Sequence, residues 1–414
     1  MATEPLIFHI DVNSAYLSWE SVRRLEEDSS ALDLRTIPSA VGGDASLRHG
    51  IVLAKSTPAK AFGISTGESI SQALRKCPSL TVVPARFDVY LKKSEQLMEI
   101  LSDYTPDMEK FSIDEAFLDM SSTIHLFGPP LVAANRIRER IWRELGFTVN
   151  IGVAPNKLLA KMASDFKKPN LCHTLFTHEI SSKMWPLPIG DLFFVGHSAR
   201  KKLEGIGIHT IGELASCSIS HLKPLLGEKY ALLIHDYAWG IDSSPVAERE
   251  SFNKGYGNST TLSHDIDDFD VACQVLLSLS ETVGARLRTD HVMSDCICVE
   301  IKDWNFQTRS HQITLNNPTD STAVIYENAC KLLKELWDRT PLRLIGVRTT
   351  KISEEGYFQL NLFESEHTRK MKEMEKAVDR IRSKFGTDSV KRASFLKKDA
   401  IVDHTAGRGK SGIK

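Results

Sequence analysis

No stretch of the chain approaches the ~20 consecutive apolar residues that a membrane-crossing helix needs. The N-terminus, MATEPLIFHIDV, has neither a basic n-region nor a small-residue cleavage site, so secretion is not expected. Cysteine is sparse: seven residues, at 77, 172, 217, 273, 296, 298 and 330. Cys296 and Cys298 would share a strand face, but no second pair stands at zinc-site spacing, so reduced cytosolic thiols are the simple expectation. An excess of one charge is also lacking. The formal net charge is −1, which by itself argues against a uniformly basic nucleic-acid binder. There is no internal repeat and no exonuclease signature.

The charge that is present is unevenly placed. Residues 364–414 hold 14 Lys and Arg against 8 Asp and Glu, a net of +6, which leaves −7 for residues 1–363. Basic clusters still occur there, at Lys157, Lys161, Lys167 and Lys168, and at Arg200, Lys201 and Lys202. A metal site needs concentrated acid and a nucleic-acid groove needs separate basic surface, so one chain doing both comes out near neutral. With 414 residues, 42% of them hydrophobic and 25% charged, the chain is expected to be globular, with two to four domains.

The pattern along the chain predicts an α+β multidomain protein. Residues 6–12 read as a buried strand and 15–26 as a helix. Gly and Pro punctuate a short-segmented stretch over 27–79. A strand (80–84), a helix (88–104), a hairpin (108–121), a helix (131–145), a strand (148–153) and a helix (156–166) follow. Short helices broken by glycine occupy the region to about 240, and a Ser-, Gly- and Asn-rich linker follows. Residues 259–352 then read as a separate βαββαβ sandwich. A charged helix is expected over 366–386.

Two adjacent acids, Asp114 and Glu115, lie in SIDEAFLD (112–119), and a third, Asp11, ends the apolar run LIFHID (6–11). Hard cations take oxygen ligands, and two ions about 3.5–4 Å apart can activate one oxygen and stabilise the leaving oxygen of a phosphoryl transfer. The ordinary alternatives are an N-cap for Asp11 and a solvated turn for the pair. Neighbours on a regular strand face opposite ways, so the hairpin must bend at Asp114 for both acids to serve one site.

HIDVNSAYLSWE, SIDEAFLD, NIGVAPNKLLAKMASDFKKPN (150–170) and GHSARKKLEGIGIHTIGEL, in that order, resemble the Y-family DNA polymerases, and within them the bacterial DNA polymerase IV branch. The resemblance covers roughly residues 6–352 and implies a right-hand architecture. The palm would take residues 1–26 and 80–175, the fingers 27–79 and the helical thumb 176–243. A linker (244–258), a little finger (259–352) and a tail (353–414) would follow.

The resemblance implies template-directed addition of dNTPs to a primer 3′ end, of low fidelity and with two Mg²⁺ ions. These would be held by Asp11, the carbonyl of Val12, Asp114 and Glu115. Tyr16 would be a ring that excludes a ribose 2′-hydroxyl by clash; the plain alternative is a buried helix tyrosine. Ser14, Thr57, Lys60 and Lys157 would meet the nucleotide, Lys157 as a point charge on the triphosphate. Asn13, Ala15, Leu17 and Thr57 depart from the family pattern and are expected to reshape the sugar pocket. Gly205 and Gly207, with Lys201 and Lys202, would form a thumb helix-hairpin-helix on DNA phosphate. QLNLF, through Gln359, Leu360, Leu362 and Phe363, resembles a sliding-clamp docking peptide; a last strand is the alternative. Primer-template DNA, dNTPs and a sliding clamp are the implied partners of a cytoplasmic, nucleoid-associated monomer. The rivals are a catalytically silent DNA- and clamp-binding relative and a nucleotide cyclase on a similar palm.

Overall fold

A computed structural model describes residues 4–43, 50–247, 253–354 and 366–395. They form two compact units, one running to Glu250 and the other from Ser251.

In the first unit, β1 (Ile7–Val12) is buried along its whole length, as a central strand of continuous apolar character should be. It leads through a tight turn into α1 (Ala15–Glu27). A small sheet follows: β2 (Ser39–Gly42), β3 (Val52–Lys55), the helices α2 (Thr57–Ala61) and α3 (Ile70–Lys76), and β4 (Thr81–Pro84). Its order is β3-β2-β4. The strand at β4 is thus not part of the larger sheet, although a boundary at residue 79 would put it there. It pairs in parallel with β2, and Leu80 and Val82 pack with Ala40, Val52 and Ile70.

The chain continues with α4 (Phe87–Ser102), β5 (Met108–Lys110), β6 (Glu115–Asp119), α5 (Pro130–Leu145), β7 (Val149–Ala154), α6 (Lys157–Ser164) and β8 (Cys172–Thr174). The five-stranded sheet has the order β5-β6-β1-β7-β8. Period-two alternation sorts β1 onto two faces. Phe8, Ile10 and Val12 join Leu97, Leu118, Ile137 and Ile141 in one core. Ile7 and Phe117 join Leu158, Leu159 and Met162 of α6 in the other. Each such buried side chain stabilises by roughly 1.5–3 kcal/mol. Helix α6 lies against β7 only because residue 152 is glycine: a Cβ there would stand 1.9 Å from the Ala160 carbonyl oxygen.

Four short helices complete the unit, α7 (His197–Glu204), α8 (Ile211–Ser216), α9 (Ile219–Leu226) and α10 (Glu228–Ala238). The chain beyond them is fastened to the N-terminus of α6. Asp242 Oδ2 accepts from the Leu158 amide at 3.1 Å, and Gly240 O from Asn156 Nδ2 at 2.8 Å.

The second unit runs β9 (Gly255–Ile266), α11 (Phe269–Thr289), β10 (Val292–Asp303), β11 (Thr308–Thr319), α12 (Thr322–Leu336), β12 (Leu342–Glu354) and α13 (Glu366–Phe385). This is the expected βαββαβ order, in a sheet β11-β10-β12-β9. Strand β9 starts inside the stretch expected to be linker (244–258). The composition of NKGYGNS signals a loop, but pairing with β12, Tyr256 opposite Thr349 and Ser259 opposite Gly346, makes it an edge strand. The charged helix α13 does not stand free. Arg288 of α11 bonds Asp379 at 2.6 Å and Glu375 at 3.3 Å, and Glu281 receives Arg382 at 3.1 Å and also Arg392.

Candidate active site

Strand pairing fixes two of the three acids. Asp11 stands opposite Glu115 across β1 and β6, and opposite Asn150 across β1 and β7. The bend required at Asp114 is present. β6 begins only at Glu115, and the amides of Phe111 and Ser112 both donate to the Glu115 carbonyl, at 3.0 and 3.2 Å. The Val12 amide donates to the Asp114 carbonyl at 3.1 Å, which ties the bend to the end of β1. Asp114, Glu115, Asp11 and Val12 therefore gather at one end of the five-stranded sheet.

Each acid has its own partner. Lys168 Nζ donates to Asp11 Oδ2 at 2.7 Å, Lys161 Nζ to Glu115 Oε1 at 2.7 Å and Ser112 Oγ to Asp114 Oδ1 at 2.6 Å. Among the described residues no three His, Cys, Asp or Glu side chains stand close enough to enclose a metal ion. Burial pushes the Asp11 carboxyl up to about 6; the Lys168 ammonium pulls the other way, and the Glu115 and Asp165 charges push it further up. Burial alone would lower the Lys168 ammonium, but Asp11 and Asp165 outweigh it and raise it. His9, fully buried beside them, is held neutral by burial and by the charges of Lys161 and Lys168; its Nδ1 is 2.8 Å from Ser164 Oγ.

Helix α6 explains which lysine goes where. Positions 157, 161 and 164 share the face turned to the sheet. Lys161 reaches Glu115 and Ser164 reaches His9. Lys157, the expected triphosphate contact, points elsewhere. It is bonded to Glu109 Oε2 at 2.5 Å and to the Pro245 carbonyl at 3.3 Å, over the Phe117 ring at 5.0 Å. Along the sequence Lys161 and Lys168 cluster with it as basic surface; the four-residue step from Lys157 to Lys161 is the signal for a shared face. Asn150 holds Lys168's loop: its Nδ2 donates to the Ser164 and Lys167 carbonyls at 3.0 and 2.9 Å.

Tyr16, in the first turn of α1, stacks on Tyr90 with centroids 4.9 Å apart, and Phe87 meets it edge-on at 5.7 Å. Its hydroxyl is raised, by burial and then by the Asp114 charge. Ser14 is exposed at φ 50 before α1 and makes no side-chain cap bond. Thr57 and Lys60 are exposed on α2, and no hydrogen bond among the described residues joins them to the acids. Lys60 lies near Lys55, whose pKa is lowered by burial and then by that charge. Gly205, Gly207, Lys201 and Lys202 are exposed between and on α7 and the turn that follows. The Gly205 and Gly207 amides already donate to the Lys201 and Glu204 carbonyls, both at 3.0 Å. Gln359, Leu360, Leu362 and Phe363 lie outside the described residues.

The impB/mucB/samB family model matches residues 10–165 and its C-terminal-domain model residues 253–362; a model described as DNA polymerase-iota, thumb domain, matches 190–242. DNA polymerase IV of Clostridium acetobutylicum is 43% identical over 395 residues, covering 95% of this chain and 99% of that protein. DNA polymerase IV 1 of Bacillus subtilis is 38% identical over 399 residues, covering 95% and 94%. A solved Y-family DNA polymerase chimera superposes with a TM-score of 0.71 at 24% identity, over 84% of this chain and 99% of that one, which shows the shared fold. The chain belongs to the impB/mucB/samB family, the Y-family DNA polymerases, and its relatives are DNA polymerases IV.

Proposed function

We propose that this enzyme, a DNA polymerase by family, extends a primer 3′ end on a template with dNTPs, in translesion synthesis, and that Asp11, Asp114 and Glu115 are its reacting centre. The observation that carries the residue assignment is the placing of Asp11 opposite Glu115, with Asp114 on the bend between β5 and β6. A buried carboxylate that ionises only at about 6 needs positive charge beside it, and an all-oxygen donor set suits a hard divalent ion. Asp11, Asp114, the Val12 carbonyl and Glu115 would hold the Mg²⁺ ions. When bound, such ions lower the pKa of the primer hydroxyl and neutralise the triphosphate. Lys168 neutralises Asp11 until then, and its exposed side chain, with Asp165 2.8 Å away as a second partner, can turn toward a phosphate. Tyr16, wedged by Tyr90 and Phe87, presents a rigid wall to the sugar. The exposed lysines of α7 would meet DNA phosphate, and QLNLF would meet a sliding clamp.

The test is primer extension with single dNTPs and rNTPs in Mg²⁺. Wild type should insert the templated dNTP, Asp114→Ala should lose at least 10³-fold in kcat, and Tyr16→Ala should gain ribonucleotide insertion. Equal failure of wild type and Asp114→Ala on several templates would leave a non-catalytic DNA-binding protein.

A further inference from the structure

The three acids carry two lysine counterions, and the two are not alike. Lys168 bonds both Asp11 and Asp165, and 36% of its side chain is exposed. Lys161 is only 11% exposed. Its Nζ lies over two aromatic rings, Phe111 at 5.3 Å and Phe193 at 5.4 Å, while it donates to Glu115 Oε1 at 2.7 Å. Each face of a ring attracts a cation, the more so where water is excluded. Phe111 belongs to the bend before β6, but Phe193 belongs to the segment matched by the thumb model. Phe193 is itself stacked on Tyr237 of α10, with centroids 6.4 Å apart, and packed against Phe194 at 4.7 Å.

We infer that Lys161 is a positioning residue for the Glu115 carboxylate, and that Phe193 ties the thumb to that carboxylate through it. The inference rests on the reading of Glu115 as part of the polymerase centre. Lys168, which has Asp165 as a second acceptor, would be free to leave Asp11 if a divalent ion were held there. Lys161, walled by two rings and bonded to no other carboxylate among the described residues, stays. It therefore fixes Oε1 and leaves Oε2 to face the reacting atoms. Preorganisation of this kind acts on the chemical step, since misplacing a reacting group by about 1 Å can cost ~10²-fold in rate.

Single-nucleotide insertion on a primed template with the full chain tests this, with dNTP and Mg²⁺ titrated and folding followed by Tm. Lys161→Met should lower kcat about 10²-fold with the dNTP KM within about threefold of wild type. Lys161→Arg should recover most of the loss, because a guanidinium also stacks between rings and donates to a carboxylate. Phe193→Ala, which keeps the ion pair and removes one wall, should lower kcat about tenfold, and the double variant should fall by less than the product of the two single losses. Should Lys161→Met fail to fold, Phe193→Ala and the Arg variant decide. A Lys161→Met enzyme with wild-type kcat, one whose KM rises while kcat holds, or a Phe193→Ala enzyme with unchanged kcat overturns the inference. An inert wild type would instead overturn the polymerase reading beneath it.

Discussion

At the scale of single residues the site works against its own stability. Asp11 is raised from the ordinary 3.8 to about 6, so the folded chain prefers it protonated. A group raised in this way contributes stability below its unfolded pKa, and that contribution is lost as pH climbs through about 4 to 6. At about 1.36 kcal/mol per unit, the ionised form costs up to about 3 kcal/mol at neutral pH. Asp11→Asn mimics the protonated acid. With chelator present it should melt above wild type at pH 7, and the two should converge near pH 4. His9 titrates in both proteins and cancels from the difference. A variant no more stable than wild type at pH 7 would mean that Asp11 is not under strain. Lys157 supplies a second prediction. Its partner Glu109 is 1% exposed, and removing one member of a buried pair costs about 3–5 kcal/mol. Lys157→Met should lower urea stability by that order and leave the dNTP KM unchanged; the opposite pattern would return Lys157 to the triphosphate. The acids were legible in the sequence because SIDEAFLD and LIFHID put charge into apolar strands, where it needs a reason. The lysines were not. Lys157, Lys161 and Lys168 look equivalent along the chain; the way α6 lies on the sheet gives the first to Glu109 and the second to Glu115, and the loop held by Asn150 gives the third to Asp11.

At the scale of elements, helix spacing and strand period gave boundaries to within a few residues where the burial was one-sided, as in α4 and α5. They failed at β9, where a glycine-rich edge strand owes its form to β12 and not to its own residues. They also left α13 without a resting place, because a helix with this much charge reads as solvated. Its charges are matched instead to α11: the acids Glu375 and Asp379 meet Arg288, and the cation Arg382, joined by Arg392 from the chain beyond the helix, meets the acid Glu281. The side chains of Arg288 and Glu281 are 7% and 6% exposed, so these are pairs largely removed from water. Breaking such a pair costs far more than forming it gains. Arg288→Met should therefore strand two acids, lower the stability of the second unit by about 3–5 kcal/mol and speed amide exchange throughout α13. Unchanged exchange there would show that the helix is held without the ion pairs.

At the scale of the whole molecule, the chain keeps its cores apart. The first unit has the two cores on either side of its larger sheet and a third beneath the small one. The second has a single core between its sheet and helices α11 and α12. The contact division falls at residue 250, and the residues up to Ala247 belong to the first unit: the Ala247 amide donates to Glu109 at 3.4 Å. For units with separate cores, independent unfolding is the default expectation. Calorimetry should accordingly give a calorimetric enthalpy above the van't Hoff value, resolved as two transitions. Arg288→Met should move one transition and Lys157→Met the other. That assignment is the sharper half of the prediction, because each variant acts on a pair wholly inside one unit. If both substitutions shifted a single transition with matched enthalpies, the two units would have to be treated as one cooperative body, and the stability costs argued above would be shared across the entire chain.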